Sequence, residues 1–323
     1  MPRYTFYLLL FSTVFIPWQL YANATKQLES AFATSLVFTD GDSITLGYGN
    51  FDPNKFISPH HNAANEVDSL GLRNQLSVYA IPFDWALTKP VLGYQTKLVT
   101  QVSYLHQKQS VRTFADTLPD LNSETMQSAK IGISFEKPIS SKWFYQASFN
   151  SHYMHYQNDY AYLSEQSERL LKPLVEGVYT NVQSNAVIFN PNISLIYRLP
   201  RDWGYYEYKL NVNYYYGWAL SQPQQLNSVN PESWQTQNGI KATFNMFKFY
   251  DFQQSFYVKA QRIDLGADSQ KPLGTDHFYE YGFGVLWDVT SWTDWFENFG
   301  IGININNGSK LDGGSIVFYF NEL

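Results

Sequence analysis

The chain has 323 residues, no cysteine, 22 basic against 28 acidic residues, 44% hydrophobic and 18% aromatic residues. Its length and apolar content exclude a disordered chain, the missing cysteine excludes a disulfide-stapled or thiolate-metal fold, and the acidic balance argues against a non-specific nucleic-acid binder. A mean hydropathy of −0.32 in so aromatic a chain means that apolar and polar residues are finely mixed.

In chain order, residues 1–24 read as a secretory signal. Arg3 supplies the positive start, Phe6 to Ile16 the apolar stretch, and Ala22-Asn23-Ala24 a small-residue cleavage site. The stretch is shorter than the roughly 20 residues a spanning helix needs, and Pro17 and Gln19 interrupt it. Its removal is expected to leave one domain, residues 25–323.

From residue 31 the apolar residues recur with a period of two. The spacing predicts strands near 31–48, 74–81, 91–107, 126–137, 143–157, 184–198, 205–220, 234–249, 254–265, 278–288, 297–306 and 313–321, about twelve in all. In 205–220, Tyr206, Tyr208, Leu210, Val212, Tyr214, Tyr216, Trp218 and Leu220 hold every even position, while Glu207, Lys209, Asn211, Asn213, Tyr215, Gly217 and Ala219 lie between them. A helix would scatter both sets; a strand puts one on each face. A soluble β-sandwich carries charge on its outer face and uses shorter strands. Here one face is almost free of charge and the other is Gly, Ser, Asn, Gln and scattered charges. That is the pattern of an all-β, antiparallel transmembrane barrel, closed because lipid cannot satisfy an open sheet edge.

The connections alternate in length. Pro82–Pro90, Pro138–Lys142, Leu199–Gly204, Tyr250–Gln253 and Val289–Phe296 are short; 49–73, 108–125, 158–183, 221–233 and 266–277 are long. Short periplasmic turns, long external loops and periplasmic termini are the expected arrangement. Lys97, Lys130, Glu136, Glu207, Lys209, Lys241, Lys259, Glu280 and Asp288 are expected to face the lumen. Tyr208, Leu210, Val212 and Tyr214 are expected to face lipid, with Trp143 and Trp203 (beside Trp85, Trp292 and Trp295) in one aromatic girdle and Trp218 and Trp234 in the other. Arginine at Val212 should cost about 2–4 kcal/mol, and arginine at Asn211 far less.

The segment Ala33-Thr34-Ser35-Leu36-Val37-Phe38-Thr39-Asp40-Gly41-Asp42, followed by Gly49-Asn50-Phe51-Asp52-Pro53, resembles the opening of the solitary outer membrane autotransporter-like β-barrel family. The resemblance implies an outer-membrane barrel of a Gram-negative bacterium without a passenger. The sequence is expected to depart from secreting autotransporters in carrying no passenger before residue 31 and no long helical linker to occupy the pore. Ile316, Phe318 and Phe320 alternate as in the signal read by the barrel-assembly machinery, although the chain ends Asn321-Glu322-Leu323 and not on an aromatic residue. The expected partners are outer-membrane lipid and lipopolysaccharide, with periplasmic chaperones and that machinery during biogenesis; no nucleic acid is expected and any small solute is undefined.

An outer-membrane phospholipase A also has twelve strands, and its family places a nucleophilic serine two residues after a histidine. The nearest segment here, Asn150-Ser151-His152-Tyr153-Met154, puts Met154 at that position. A hydroxyl nucleophile needs an adjacent base, and none assembles. His152 and His155 fall on opposite faces of a strand. His60-His61 with Asp52, Glu66 and Asp68 reads as a solvated loop, and Gly41 in Asp40-Gly41-Asp42 as a bulge, so no metal or cofactor is expected. Leu163, Leu170, Leu171 and Leu174, with Glu165 and Glu168 at the start, fit either a short helix capping the barrel mouth or an ordered loop. The expected function is a non-enzymatic barrel acting as a narrow pore or a translocator-like scaffold. A phospholipase-type enzyme and a surface adhesin or structural barrel are the alternatives, and mixed lumen charge leaves open and closed interiors both available.

Overall fold

The computed structural model describes residues 4–39, 44–46, 76–87, 90–91, 93–114, 117–249, 252–291, 298–308 and 313–320. Among them, helix α1 (Tyr4–Thr39) precedes strands β1 (Ile44–Leu46), β2 (Leu76–Ala86), β3 (Gln95–Val111), β4 (Asp120–Pro138), β5 (Trp143–Ala161), β6 (Gln183–Arg201), β7 (Gly204–Ser221), β8 (Glu232–Phe249), β9 (Phe252–Ala267), β10 (His277–Asp288), β11 (Asn298–Gly308) and β12 (Gly313–Phe320). Each strand pairs antiparallel with its neighbour in sequence, and β1 closes the ring on β12, Ile44 opposite Phe318. The predicted transmembrane barrel is what the chain forms. No described helix is long and apolar enough to cross a membrane.

Inward and outward faces separate cleanly on β7. Asn211, Asn213 and Tyr215 are buried, while Val212, Tyr214, Tyr216 and Trp218 are exposed. The strands β3 to β9 run for 16 to 19 residues, more than the nine to eleven that cross a bilayer. The wall therefore stands proud of the membrane. It does so on the long-connection side, where pairing continues through polar positions such as Lys108 opposite Ser123. This shortens the expected loops: 108–125 contracts to the link between Val111 and Asp120. Strand β2 also continues through Pro82 to Ala86. Beyond Ala80, its far side has no ladder partner among the described residues, and a proline without an N–H is tolerated on such an edge.

Pro191 lies inside β6, where both neighbours are strands. The β6–β7 pairing is interrupted at Asn190 and Pro191. The Asn190 side chain donates to the Tyr214 carbonyl at 3.3 Å, replacing the bond that proline cannot make. From there an amide ladder crosses four strands. Asn150 donates to Asn190 at 3.0 Å and Asn190 to Asn213 at 3.4 Å; Asn192 bridges Asn213 and Asn211; Asn211 donates to Gln237 at 3.3 Å.

Three expectations are corrected here. The predicted strand 31–48 is helical as far as Thr39, and β1 is described only at Ile44–Leu46. A helix does stand in the lumen, contrary to the expected absence of a linker. The described ends, expected on one side, also lie at opposite ends of the barrel: β12 runs toward the short turns, whereas the Tyr21–Glu29 part of α1 lies at the long-connection mouth. The missed signal is Ala24, Leu28, Phe32 and Leu36, spaced four apart with no glycine or proline between them. The shorter period-two run at Leu36 and Phe38 masked it. The readings of Asp40-Gly41-Asp42, Gly49–Pro53, His60-His61, Trp292, Trp295 and Asn321–Leu323 fall outside the described residues.

Candidate functional site

The site is the barrel interior and the helix that occupies it. Ala24, Leu28, Phe32 and Leu36 of α1 form one core with Val78, Leu105, Met126, Met154, Tyr156, Ala186, Ile188 and Tyr215 of the wall and Val178, Val182, Leu226 and Val229 of the long connections. Phe32 is 0% exposed, with its ring 6.2 Å from that of Tyr156. Each large side chain buried this way contributes about 1.5–3 kcal/mol to seating the helix. Ser35 and Thr39 turn their hydroxyls back onto the carbonyls of Phe32 and Ser35, which satisfies them inside an apolar contact. Gln101 of β3 donates to the Thr39 carbonyl at 2.8 Å and so caps the lower end of the helix.

The upper end is latched by polar groups. Glu29, buried, accepts from the Asn230 backbone N–H at 2.9 Å and pairs with Lys26 at 2.7 Å. Lys26 also reaches Asp268, after β9, at 3.5 Å. Both Asn230 and Asp268 belong to long connections, which orients the helix: its N-terminal part is at that mouth and its C-terminal end is halfway down the lumen.

Below the helix the wall is polar. Glu136, Glu207, Lys259 and Glu280 are largely covered side chains on inward positions. Arg198, which the sequence reading did not single out, reaches Glu136 on β4 at 3.0 Å and Glu207 on β7 at 3.1 Å, with its guanidinium 4.8 Å from the Phe144 ring centre. Its signal was its place on the same face of β6 as Ser194 and Ile196. Lys259 pairs with Glu280 at 2.8 Å, and Gln261 donates to the same carboxylate at 2.9 Å. Lys241 lies 5.4 Å from the Tyr257 ring centre. Lys130 and Lys209 sit half-buried on the inward registers of β4 and β7, Lys97 is exposed near the short-turn end of β3, and Asp288 is exposed where it caps Thr290 in the turn after β10. The charged residues thus do not converge on one centre.

Arg198→Ala should leave Glu136 and Glu207 beside each other without their cation. The group is about one-third exposed, which moderates the loss to about 1–2 kcal/mol. Chemical denaturation in a bilayer checks this, with Arg198→Lys recovering only part of the loss, because one ammonium does not span both carboxylates as a planar guanidinium does.

On the outside, Trp143 packs on Tyr197, Trp203 stacks on Phe244, and Trp218 lies against Phe189; the three tryptophans are exposed, as are Trp234, Val212 and Tyr214, while Tyr208 and Leu210 are half-covered on the same face. The 164–176 segment is a wide helical turn, Ser167–Leu171, followed by α2 (Lys172–Val175). Leu163, Leu170 and Leu174 are exposed there, so this apolar face does not pack down on the mouth as a cap would.

The model of the solitary outer membrane autotransporter beta-barrel domain matches residues 29–322. The chain belongs to that family. Among curated proteins none matches the sequence. Solved structures similar to this autotransporter-type barrel include the beta domain of the Bordetella autotransporter BrkA (11% identity, 77% of this chain and 90% of that one, TM-score 0.45). The transport unit of AIDA-I from Escherichia coli is also similar (10%, 76% and 82%, 0.44), as is the translocator domain of NalP from Neisseria meningitidis (9%, 76% and 81%, 0.47). Autotransporter barrels sit in the outer membrane of Gram-negative bacteria, and this solitary barrel is of that class. The family match begins at residue 29 and so takes in the Phe32–Thr39 part of the lumen helix.

Proposed function

We propose that this barrel is a non-enzymatic, translocator-like scaffold that holds its own N-terminal helix as a plug and is closed at rest. The observation that carries the reading is the Leu28, Phe32 and Leu36 stripe, buried among wall residues from β2 to β7. With the short turns in the periplasm, the helix leads the chain toward the cell surface. Export by a signal ending at Ala24 is part of the reading. Ala24 and Thr25 are 2% and 7% exposed in the seated helix, so that bond must be cut before the helix enters the lumen. The inward face of β5 supports a non-enzymatic role. His152 is flanked on that face by Asn150 and Met154 and packs against Tyr215 at 6.3 Å, while Ser151 points to the other face. During biogenesis the chain would meet periplasmic chaperones and the barrel-assembly machinery.

Planar-bilayer recording tests the closed state. The full chain should be silent, and a chain lacking residues 25–39 should conduct. In that opened barrel, changing Lys209 or Lys241 to glutamine should shift selectivity toward cations, since fixed wall charge sets ion preference. A full chain that conducts steadily would overturn the plug and favour a constitutive narrow pore.

A further inference from the structure

Three histidines repeat one arrangement on the outside of the barrel. His106 on β3, His155 on β5 and His277 on β10 each lie two residues toward the long-connection side of an outward tyrosine, respectively Tyr104, Tyr153 and Tyr279. In all three, Nδ1 is held by a side-chain oxygen: Thr125 Oγ1 at 3.0 Å, Asn185 Oδ1 at 2.8 Å and Asp276 Oδ1 at 2.7 Å. The rings of His106 and His277 rest against their tyrosines with centres 6.2 and 5.8 Å apart, and Tyr153 donates to the same Asn185 oxygen that holds His155. Each imidazole is therefore fixed through one nitrogen, which leaves Nε2 for an outside partner.

We propose that these three histidines form a protonation-dependent contact ring for the phosphate groups of outer-leaflet lipids. The proposal rests on the long connections facing outward, as in the preceding reading. Tyrosines mark the depth at which hydrocarbon gives way to headgroups, so a residue just beyond them meets the headgroup layer. With Nδ1–H donating to Asn185 or Asp276, a neutral imidazole offers only a lone pair at Nε2, which repels a phosphate oxygen. Protonation converts Nε2 into a charged donor. The hydrogen bond from His277 holds the Asp276 carboxyl below its ordinary range, in keeping with a donating Nδ1. The three lie on strands that do not pair with one another, and no group of three metal-ligating side chains occurs among the described residues, so a shared metal is not the occupant.

The charges facing the ring are mixed. His106 has Lys108 on its own strand and Asp159 on β5; His277 has Asp276 beside it and Asp264 opposite, the latter paired with Arg262 at 2.6 Å; His155 faces uncharged Asn185 and Gln127. The two cations and three carboxylates named leave this band slightly acidic, so its affinity for anions has to come from protonation of the histidines.

The full chain is reconstituted in nanodiscs of phosphatidylcholine doped with bis-phosphorylated lipid A or with its dephosphorylated form. Lipid retained per barrel is then measured by native mass spectrometry at about pH 7.5 and about pH 5.5. Retention of the phosphorylated lipid should rise roughly 3–10-fold on acidification, with no rise for the dephosphorylated form. A variant carrying His106→Gln, His155→Gln and His277→Gln should lose the rise while keeping its heat-shifted electrophoretic band. Retention that does not change with pH, a rise shared by the dephosphorylated lipid, or a rise that survives in the variant would each overturn the proposal. A barrel that conducts at rest would count against the plug and leave this ring standing.

Discussion

Phe32→Asp should turn a silent barrel into a conducting one. Phe32 is wholly buried between the lumen wall and its own helix, against Tyr156 and in the same core as Met154 and Ile188. Removing a buried phenylalanine costs about 3–5 kcal/mol, and placing a carboxylate in that apolar contact adds several more. That loss falls on the seating of the helix, because the backbone ladder that closes the ring contains no bond from α1. The folded barrel should persist, seen as an unchanged heat-shifted band, while residues 25–39 become accessible to added protease and the bilayer current rises. Gln27→Asp, on the exposed face of the same helix, should do neither. A Phe32→Asp barrel that stays silent and protected would show that the helix is not what closes the lumen.

The second large effect is expected on the opposite face of the wall. Val212 is 46% exposed, points outward from β7, and lies between Ile193 and Thr236 on the neighbouring strands. Val212→Arg should destabilise the barrel by about 2–4 kcal/mol if it sits near the bilayer midplane, measured by denaturant titration in lipid. The structure alters the comparison drawn from the alternation alone. Asn211 accepts from Asn192 and Ser194 and donates to Gln237, so Asn211→Arg breaks the amide ladder and should cost about 1–3 kcal/mol. Lys209→Arg, on the same face but with its charge kept, is the substitution that should be nearly silent. If Val212→Arg proves as mild as Lys209→Arg, the face is not in lipid.

What the sequence by itself determined is the wall. Side chains alternate across any extended strand, so the faces of β7, β10 and β11 and the order of short and long connections follow from local covalent geometry and turn residues, with no knowledge of what lies across the sheet. Two kinds of feature could not be read this way. Residues 24–39 carry both a four-residue apolar spacing and a brief two-residue one, and either period buries Leu36. The helix wins because the lumen offers Val78, Met126, Met154 and Ile188 as a surface for a single helical stripe, and because a helix satisfies its own backbone inside that space. The other kind is pairing at a distance. Arg198 meets Glu136, Glu29 meets Asn230, and His155 meets Asn185 only once strand register is set, since residues 62, 201 and 30 positions apart have no local pattern linking them. Strand register decided the two wall contacts, and the lumen that the closed wall encloses decided that of Glu29, and with it which way the N-terminal helix points.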